Sequence, residues 1–110
     1  MVKEDDSYPN NKIKIGENKE ENDTLVKSAK DTDIWFHLSN LPSCHVILEC
    51  DKKNEATKDM IRYCAQLVKQ NTKYKNFSKL KVTYTEIRNV RRTSTVGMVI
   101  LKGKTNDIVI

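Results

Sequence analysis

The sequence predicts an α+β domain in which a mainly antiparallel sheet packs against one main amphipathic helix. Residues 56–71 carry apolar side chains at helical spacing, which predicts the helix. Several shorter segments alternate apolar with polar residues or form β-branched and aromatic runs, as strands do. Polar stretches with turn-forming residues separate these segments. With 110 residues, the chain is long enough for one domain of this kind.

The N-terminal quarter predicts little regular structure. Residues 1–11 mix charged residues and a proline without apolar periodicity, so we expect a flexible tail, with a single folded domain over 12–110. The alternation in 12–16 predicts a short strand that ends at a glycine. Residues 24–29 are compatible with a short helix.

The middle of the chain predicts two strands followed by the main helix. Segments 33–38 and 45–50 are rich in aromatic and branched residues, and the turn-prone stretch SNLPS lies between them. The helix over 56–71 has an apolar stripe along one face. The residues of this stripe are Met60, Ile61, Cys64, Leu67 and Val68.

The C-terminal part predicts three more strands. Residues 80–85 alternate apolar with polar or basic side chains, so one face of this strand should be polar. The basic stretch 88–94 is predicted to be a loop. Segments 97–103 and 107–110 are then expected to pair with each other in a closing hairpin.

Charge is divided unevenly along the chain. Residues 1–50 contain six Lys and ten acids, whereas residues 51–110 contain fourteen Lys or Arg and five acids. A basic surface attracts polyanions such as nucleic acids. The alternative is that these charges serve only solubility. The chain has no apolar run of membrane-spanning length, so we expect no membrane association and a cytoplasmic location, with the nucleus as the alternative. The three cysteines are expected to be thiols.

Asp33, Trp35 and His37 occupy alternate positions of one predicted strand, and their side chains should therefore point to the same face. One interpretation is a recognition surface, on which Trp35 stacks on a base and His37 binds a phosphate or a base edge. The other is that Trp35 fills the core while Asp33 and His37 bind loops. Periodicity alone leaves both open.

The sequence offers little support for a metal site or for catalysis. His37, His45, Cys44 and Cys50 lack the close pairs that structural zinc sites use. Cys44 and His45 are chain neighbours, which project to opposite faces of a strand, so they do not form a nucleophile and base pair. The three glycines do not form a phosphate-binding loop. We therefore expect no metal, no cofactor and no enzyme activity.

The basic residues of the second half are the candidates for phosphate contacts. Tyrosines lie among them and could stack on bases. An ordinary solvated surface is the alternative. The candidate phosphate ligands are Arg62, Lys69, Lys81, Arg88, Arg91 and Arg92.

The order of motifs resembles the NFACT-R domain in its stand-alone form. The blocks are GENKEEND, DTDIWFHLSNLPSCHVIL, AQLVKQN, KVTYTEIRNVRR and VGMVIL, and they cover about residues 12–110. The resemblance implies that Asp33, Trp35, His37 and His45 are signature residues. It also assigns Gly16 to a turn glycine of the family, and Asn22 and Asp23 to an Asn-Asp pair.

The resemblance also implies a function, since the family is thought to bind RNA. We expect this chain to bind structured RNA, tRNA or rRNA by preference, in translation or ribosome quality control, with the ribosome as a further partner. Asp33, Trp35, His37 and His45 would supply specificity and the basic residues affinity. DNA is an alternative ligand, and a protein-interaction module that docks on a ribosomal or chromatin protein is an alternative function. We expect a monomer or a weak oligomer.

Overall fold

The computed structural model describes residues 2–110 and has the predicted α+β architecture, with antiparallel pairing between all adjacent strands. Six strands form a sheet of order β1-β2-β4-β3-β5-β8, and two more form the hairpin β6-β7. The elements are β1 Lys3–Asp5, β2 Ile13–Gly16, α1 Lys19–Ser28, β3 Ile34–Leu38, β4 His45–Leu48, α2 Lys58–Gln70, β5 Lys81–Glu86, a 3₁₀ turn Ile87–Asn89, β6 Val90–Arg92, β7 Val99–Leu101 and β8 Asn106–Val109.

Helix α2 lies within the predicted segment 56–71. It begins after Thr57, whose side chain accepts a hydrogen bond from the backbone N–H of Met60 and so caps the first turn. Its buried face consists of Cys64, Ala65 and Val68. These side chains pack on one face of the sheet, where the largest apolar cluster lies.

Helix α1 is longer than predicted because its cap lies earlier in the chain. Asn18 accepts a hydrogen bond from the backbone N–H of Glu21, and the Glu21 carboxylate accepts one from the backbone N–H of Glu17. This reciprocal arrangement satisfies N–H groups that a helix start leaves unpaired. The helix therefore starts at Lys19, and the predicted segment 24–29 covers only its second half.

A separate apolar cluster lies on the other face of the sheet. Leu25 and Val26 of α1 pack there against Trp35, Ile47 and the 3₁₀-turn residue Ile87. The β6-β7 hairpin covers the same cluster with apolar side chains from both of its strands. The sheet is thus a middle layer between α2 on one face and α1 with the hairpin on the other.

Three further sequence-based predictions differ from the structure. The stretch 88–94, predicted as a loop, contains the end of the 3₁₀ turn and strand β6. The segment 1–11, predicted as a flexible tail, contains β1, and Asn11 is buried with its side-chain amide bonded to the carbonyls of Glu49 and Asn54. The predicted hairpin between 97–103 and 107–110 is wrong. Strand β7 pairs with β6 and packs on the cluster beside α1, whereas β8 pairs with β5 at the sheet edge.

No helix among residues 2–110 combines the length and the apolar character that crossing a bilayer requires.

Candidate nucleic-acid interface

An open cleft of about 770 Å³ lies on the sheet face that carries the hairpin. Strands β3, β4, β5 and β8 form its floor. The loop after β3 and the segment from Gly97 to Leu101 form its two walls. Four of the predicted site residues line the cleft, namely Trp35, His37, His45 and Lys81.

Trp35 and His45 form a buried hydrogen-bonded pair at the inner end of the cleft. The indole Nε1–H donates to Nδ1 of His45 over 3.2 Å, so the imidazole carries its proton on Nε2. Each residue is only 2% exposed. Burial, together with the nearby His37, lowers the pKa of His45 to about 3. His45 is therefore a neutral group that the indole holds in one tautomer.

His37 is the more accessible of the two histidines. Its ring stacks on the indole of Trp35, with centroids 5.5 Å apart and planes 7° from parallel, and it meets the ring of His45 edge-on at 5.0 Å. Burial lowers the pKa of His37, with an opposing hydrogen bond to the backbone at Leu38. A neutral imidazole offers one donor and one acceptor, which suits a base edge better than a phosphate.

Polar side chains from β5 and β8 continue the floor beyond His37. The register pairs His37 with Thr83 and Thr83 with Asp107, so the three form a row across the sheet. The Thr83 hydroxyl donates to Oδ1 of Asp107 over 2.8 Å, and Ser39 bonds to Thr83. Sequence reasoning missed Ser39, Thr83 and Asp107. The polar face predicted for 80–85 contained a signal for Thr83, whereas Asp107 was hidden by the wrong pairing of the last strand.

Comparison with known proteins identifies the family. The sequence model of the family described as "NFACT protein RNA binding domain" matches residues 2–106. The chain belongs to this family.

Two relatives agree with this assignment, and a solved structure shares the fold. Coiled-coil domain-containing protein 25 of Danio rerio is 32% identical over 94 residues, which are 82% of this chain and 45% of that protein. The Rqc2 homolog RqcH of Bacillus subtilis is 32% identical over 81 residues, which are 73% of this chain and 14% of that protein. The chain thus spans less than half the length of these relatives. The C-terminal part of the fibronectin/fibrinogen-binding protein from Streptococcus suis has the same fold, with a TM-score of 0.77, 23% identity, and coverage of 91% of this chain and 40% of that chain.

Asp33 of the NFACT RNA-binding domain lies outside the cleft, where its carboxylate is hydrogen-bonded to the backbone. It is 2% exposed, and its carboxylate accepts hydrogen bonds from the backbone N–H groups of Lys30 and Cys50. These bonds join the turn before β3 to the end of β4. The orientation predicted for Asp33, on a shared strand face with Trp35, does not bring it to the cleft lining.

The position of Trp35 disagrees with the interpretation in which its ring stacks on a base. Its ring is nearly fully buried between His37 and the cluster beside α1, so it does not present an open face on which a base could stack. The alternative interpretation, a Trp35 that fills the core, agrees with this burial. What the indole does for the site is to position the two histidines.

Asn22 and Asp23 on α1 and Gly16 at the end of β2 lie next to the site. Asn22 is buried, and its Oδ1 accepts a hydrogen bond from the backbone N–H of His45 over 3.1 Å. A Cβ on Gly16 would lie 2.3 Å from that same Oδ1. Gly16 is therefore needed for close approach of α1 to β2. Asp23 receives two hydrogen bonds from Arg92, at 2.9 and 2.8 Å.

The predicted phosphate ligands of this NFACT RNA-binding domain do not form one group. Arg62 and Lys69 lie on α2, on the opposite side of the sheet from the cleft, and Lys69 donates to the carbonyl of Ile110. Arg88 lies 3.5 Å from the carboxylate of Glu86. The cleft side has Lys81 on its floor and two arginines on the neighbouring strand β6.

Of the two β6 arginines, Arg92 is the one with an ion pair among residues 2–110. Arg92 forms the ion pair with Asp23, which lowers the pKa of the carboxylate and raises that of the guanidinium. Arg91 pairs in register with Ile100, and both are exposed on the outer face of the hairpin. No group of three or more metal-binding side chains occurs within residues 2–110.

Proposed function

We propose that this chain binds structured RNA, tRNA or rRNA by preference, through the side of the domain that carries the cleft. The observation that carries the proposal is the convergence of His37, His45 and Lys81 at one cleft in a member of an RNA-binding family. The relationship to the Rqc2 homolog RqcH favours a role in ribosome quality control in the cytoplasm. The family is one of RNA-binding rather than catalytic domains.

Phosphate contacts would provide most of the affinity. Lys81 is an exposed cation that lines the cleft, and Arg91 is exposed on the outer face of the hairpin, which forms one wall of the cleft. If four to six phosphates are neutralised, log affinity should fall against log salt with a slope of roughly −3 to −5. Base contacts in the cleft would add preference among RNA sequences or shapes.

The division of the basic residues into two groups makes the proposal specific. Arg62 lies on α2, and the sheet separates it from the cleft. A short RNA segment bound at the cleft would not reach it. Arg62→Ala is therefore the matched control for Arg91→Ala and Lys81→Ala, because all three substitutions remove one exposed cation.

The experiment measures binding of the purified chain to tRNA, duplex RNA, single-stranded RNA and duplex DNA between 50 and 300 mM salt. We expect tighter binding of structured RNA than of DNA. Each of Lys81→Ala and Arg91→Ala should reduce the salt slope by about 1, whereas Arg62→Ala should leave it unchanged. His37→Ala should reduce the preference among ligands more than the overall affinity.

Three results would change the proposal. If all polyanions bind equally and His37→Ala has no effect, specific RNA recognition is wrong. If duplex DNA binds more tightly than every RNA, the domain is a DNA-binding variant of the family. If only Arg62→Ala weakens binding, RNA binds on the α2 side and the cleft has another purpose.

An exposed apolar row on the hairpin favours a second candidate, docking on a protein. Met98 and Ile100 are each 59% exposed, and Val96 is 45% exposed. Large apolar side chains exposed next to one another are typical of interaction surfaces. A complex recovered with the wild-type chain after nuclease treatment, and lost with Ile100→Ser, would support this candidate.

A further inference from the structure

The cleft combines apolar walls with a polar floor. Leu41 and Pro42 lie on one wall, and Met98, Val99 and Leu101 lie on the other. The side chains of Thr83, Asp107 and His37 line the floor between them. A planar ring that enters between apolar walls, with its polar edge towards the floor, fits this distribution. The volume of the cleft, about 770 Å³, is in the range of small-molecule sites.

Asp107 provides the strongest recognition group on this floor. The Thr83 hydroxyl donates to its Oδ1 over 2.8 Å, and the Ser39 hydroxyl lies 3.5 Å from the same oxygen. The second carboxylate oxygen can therefore accept hydrogen bonds from a bound molecule. At neutral pH an aspartate carboxylate offers only acceptors, so it requires a ligand edge with donors. Hydrogen bonds to a charged acceptor are about twice as strong as neutral ones.

Among the four RNA bases, only guanine has two adjacent donors on its Watson–Crick edge, N1–H and the N2 amino group. Adenine and cytosine place a ring acceptor next to their amino group, and uracil flanks its single donor with two carbonyls. Each of these three would direct a lone pair at the carboxylate. A base that presents an acceptor there gains no hydrogen bond from the exposed carboxylate of Asp107, which favours guanine.

We propose that the cleft binds one unpaired guanine nucleotide, with its N1 and N2 donors on Asp107, its ring between Met98 and Pro42, and its phosphate near Lys81. This inference rests on the proposed RNA-binding function and names the base that the cleft selects. The guanine would come from a loop, a bulge or a single-stranded end, because its Watson–Crick edge must be free. His37 would contact the ring from the floor through its neutral imidazole.

The test is an NMR titration of the whole chain with the 5′-monophosphates of guanosine, inosine, adenosine, cytidine and uridine. Inosine lacks the N2 amino group but is otherwise guanine-like. We expect guanosine monophosphate to bind about tenfold or more tightly than the adenosine, cytidine and uridine nucleotides, with inosine in between. Resonances of Met98, Thr83 and His37 should shift on binding.

Asp107→Asn is the decisive variant, and Asp6→Asn is its matched control. The asparagine oxygen can still accept the hydrogen bond from Thr83, so the edge of the sheet should be retained. Asp6 is exposed and follows β1, at the opposite edge of the sheet from β8. We expect Asp107→Asn to lose the preference for guanine and Asp6→Asn to keep it. Amide spectra of both variants establish that the fold is unchanged.

The outcomes separate this inference from the proposed function. Guanine-selective shifts that depend on Asp107 support it. If the nucleotides bind equally well or none binds, while tRNA or structured RNA still binds the chain, the guanine site is wrong and the RNA-binding function stands. If guanosine monophosphate binds selectively but no RNA does, the cleft is a nucleotide site and the proposed function is wrong. If the preference survives Asp107→Asn, the assignment of Asp107 is overturned.

Discussion

The domain is expected to lose stability as the pH falls from 7.5 to 5.0, and His45 is expected to be a principal cause. In the folded state burial and the neighbouring His37 lower the pKa of His45 to about 3, whereas the ordinary value is 6.5. Below pH 6.5 the unfolded chain therefore takes up a proton that the folded chain does not. The unfolded state binds more protons, so its free energy falls relative to that of the folded state.

The magnitude follows from these two pKa values. Between pH 7.5 and 5.0, proton uptake at His45 in the unfolded chain lowers the free energy of unfolding by about 2 kcal/mol. In the folded state His45 is still neutral at pH 5.0, because this pH lies well above its pKa of about 3. Burial also lowers the pKa of His37, which adds a loss of the same sign. Carboxylates with lowered pKa values, such as Asp5, act mainly below this range.

Urea unfolding at pH 7.5 and 5.0 measures the effect. His45→Asn is the informative variant, because an amide oxygen can accept the hydrogen bond from Trp35 in place of Nδ1 and does not titrate. We expect the wild-type chain to lose at least about 2 kcal/mol on acidification and His45→Asn to lose about 2 kcal/mol less than wild type. His37→Asn serves as a control that retains the His45 contribution. Equal losses in wild type and His45→Asn would refute the reasoning.

Three further outcomes are expected. Gly16→Ala should lower the free energy of unfolding by roughly 1–3 kcal/mol, because the added Cβ meets Asn22 Oδ1 at 2.3 Å; unchanged urea unfolding would contradict the close approach. Arg92→Ala should lower the free energy of unfolding at low salt and lower it less at 1 M salt, since its ion pair with Asp23 is partly exposed and is screened by salt; a loss independent of salt would point to packing instead. Arg91→Ala should leave the free energy of unfolding unchanged within about 0.5 kcal/mol and should weaken RNA binding. Thermal melts and binding isotherms measure the two effects, and a destabilised variant with unchanged RNA affinity would contradict this prediction.

Elements defined by local periodicity could be predicted from the sequence. The stripe from Met60 to Val68 and the alternation in β2 and β5 predicted these elements to within a few residues, because burial of one face imposes those periods. The start of α1 could also have been read from Asn18 and Glu21, which have capping-box spacing.

Features that depend on distant contacts could not be predicted in this way. Strand β8 pairs with β5, which is not its neighbour along the chain, and its Ile108 packs there on the α2 side of the sheet. The burial of Trp35 depends on α1 and the hairpin, which are remote in sequence. The cleft itself arises from these long-range contacts. Sequence patterns therefore pointed to His37 and His45 but not to Asp107, which lines the same cleft.

Because of the ion pair between Asp23 and Arg92, salt should affect RNA binding at this surface in two ways. Salt competes with the protein for RNA phosphates, and it also weakens the pair that links the hairpin to α1. A further contact at the same place is the loop at Gly97, whose backbone lies close against Lys19 of α1. The hairpin is one wall of the cleft, so its compliance should rise with salt. The salt dependence of RNA affinity therefore includes the loosening of this wall as well as counterion release. In the Arg92→Ala variant the ion pair is absent, so its salt dependence reports counterion release without this loosening.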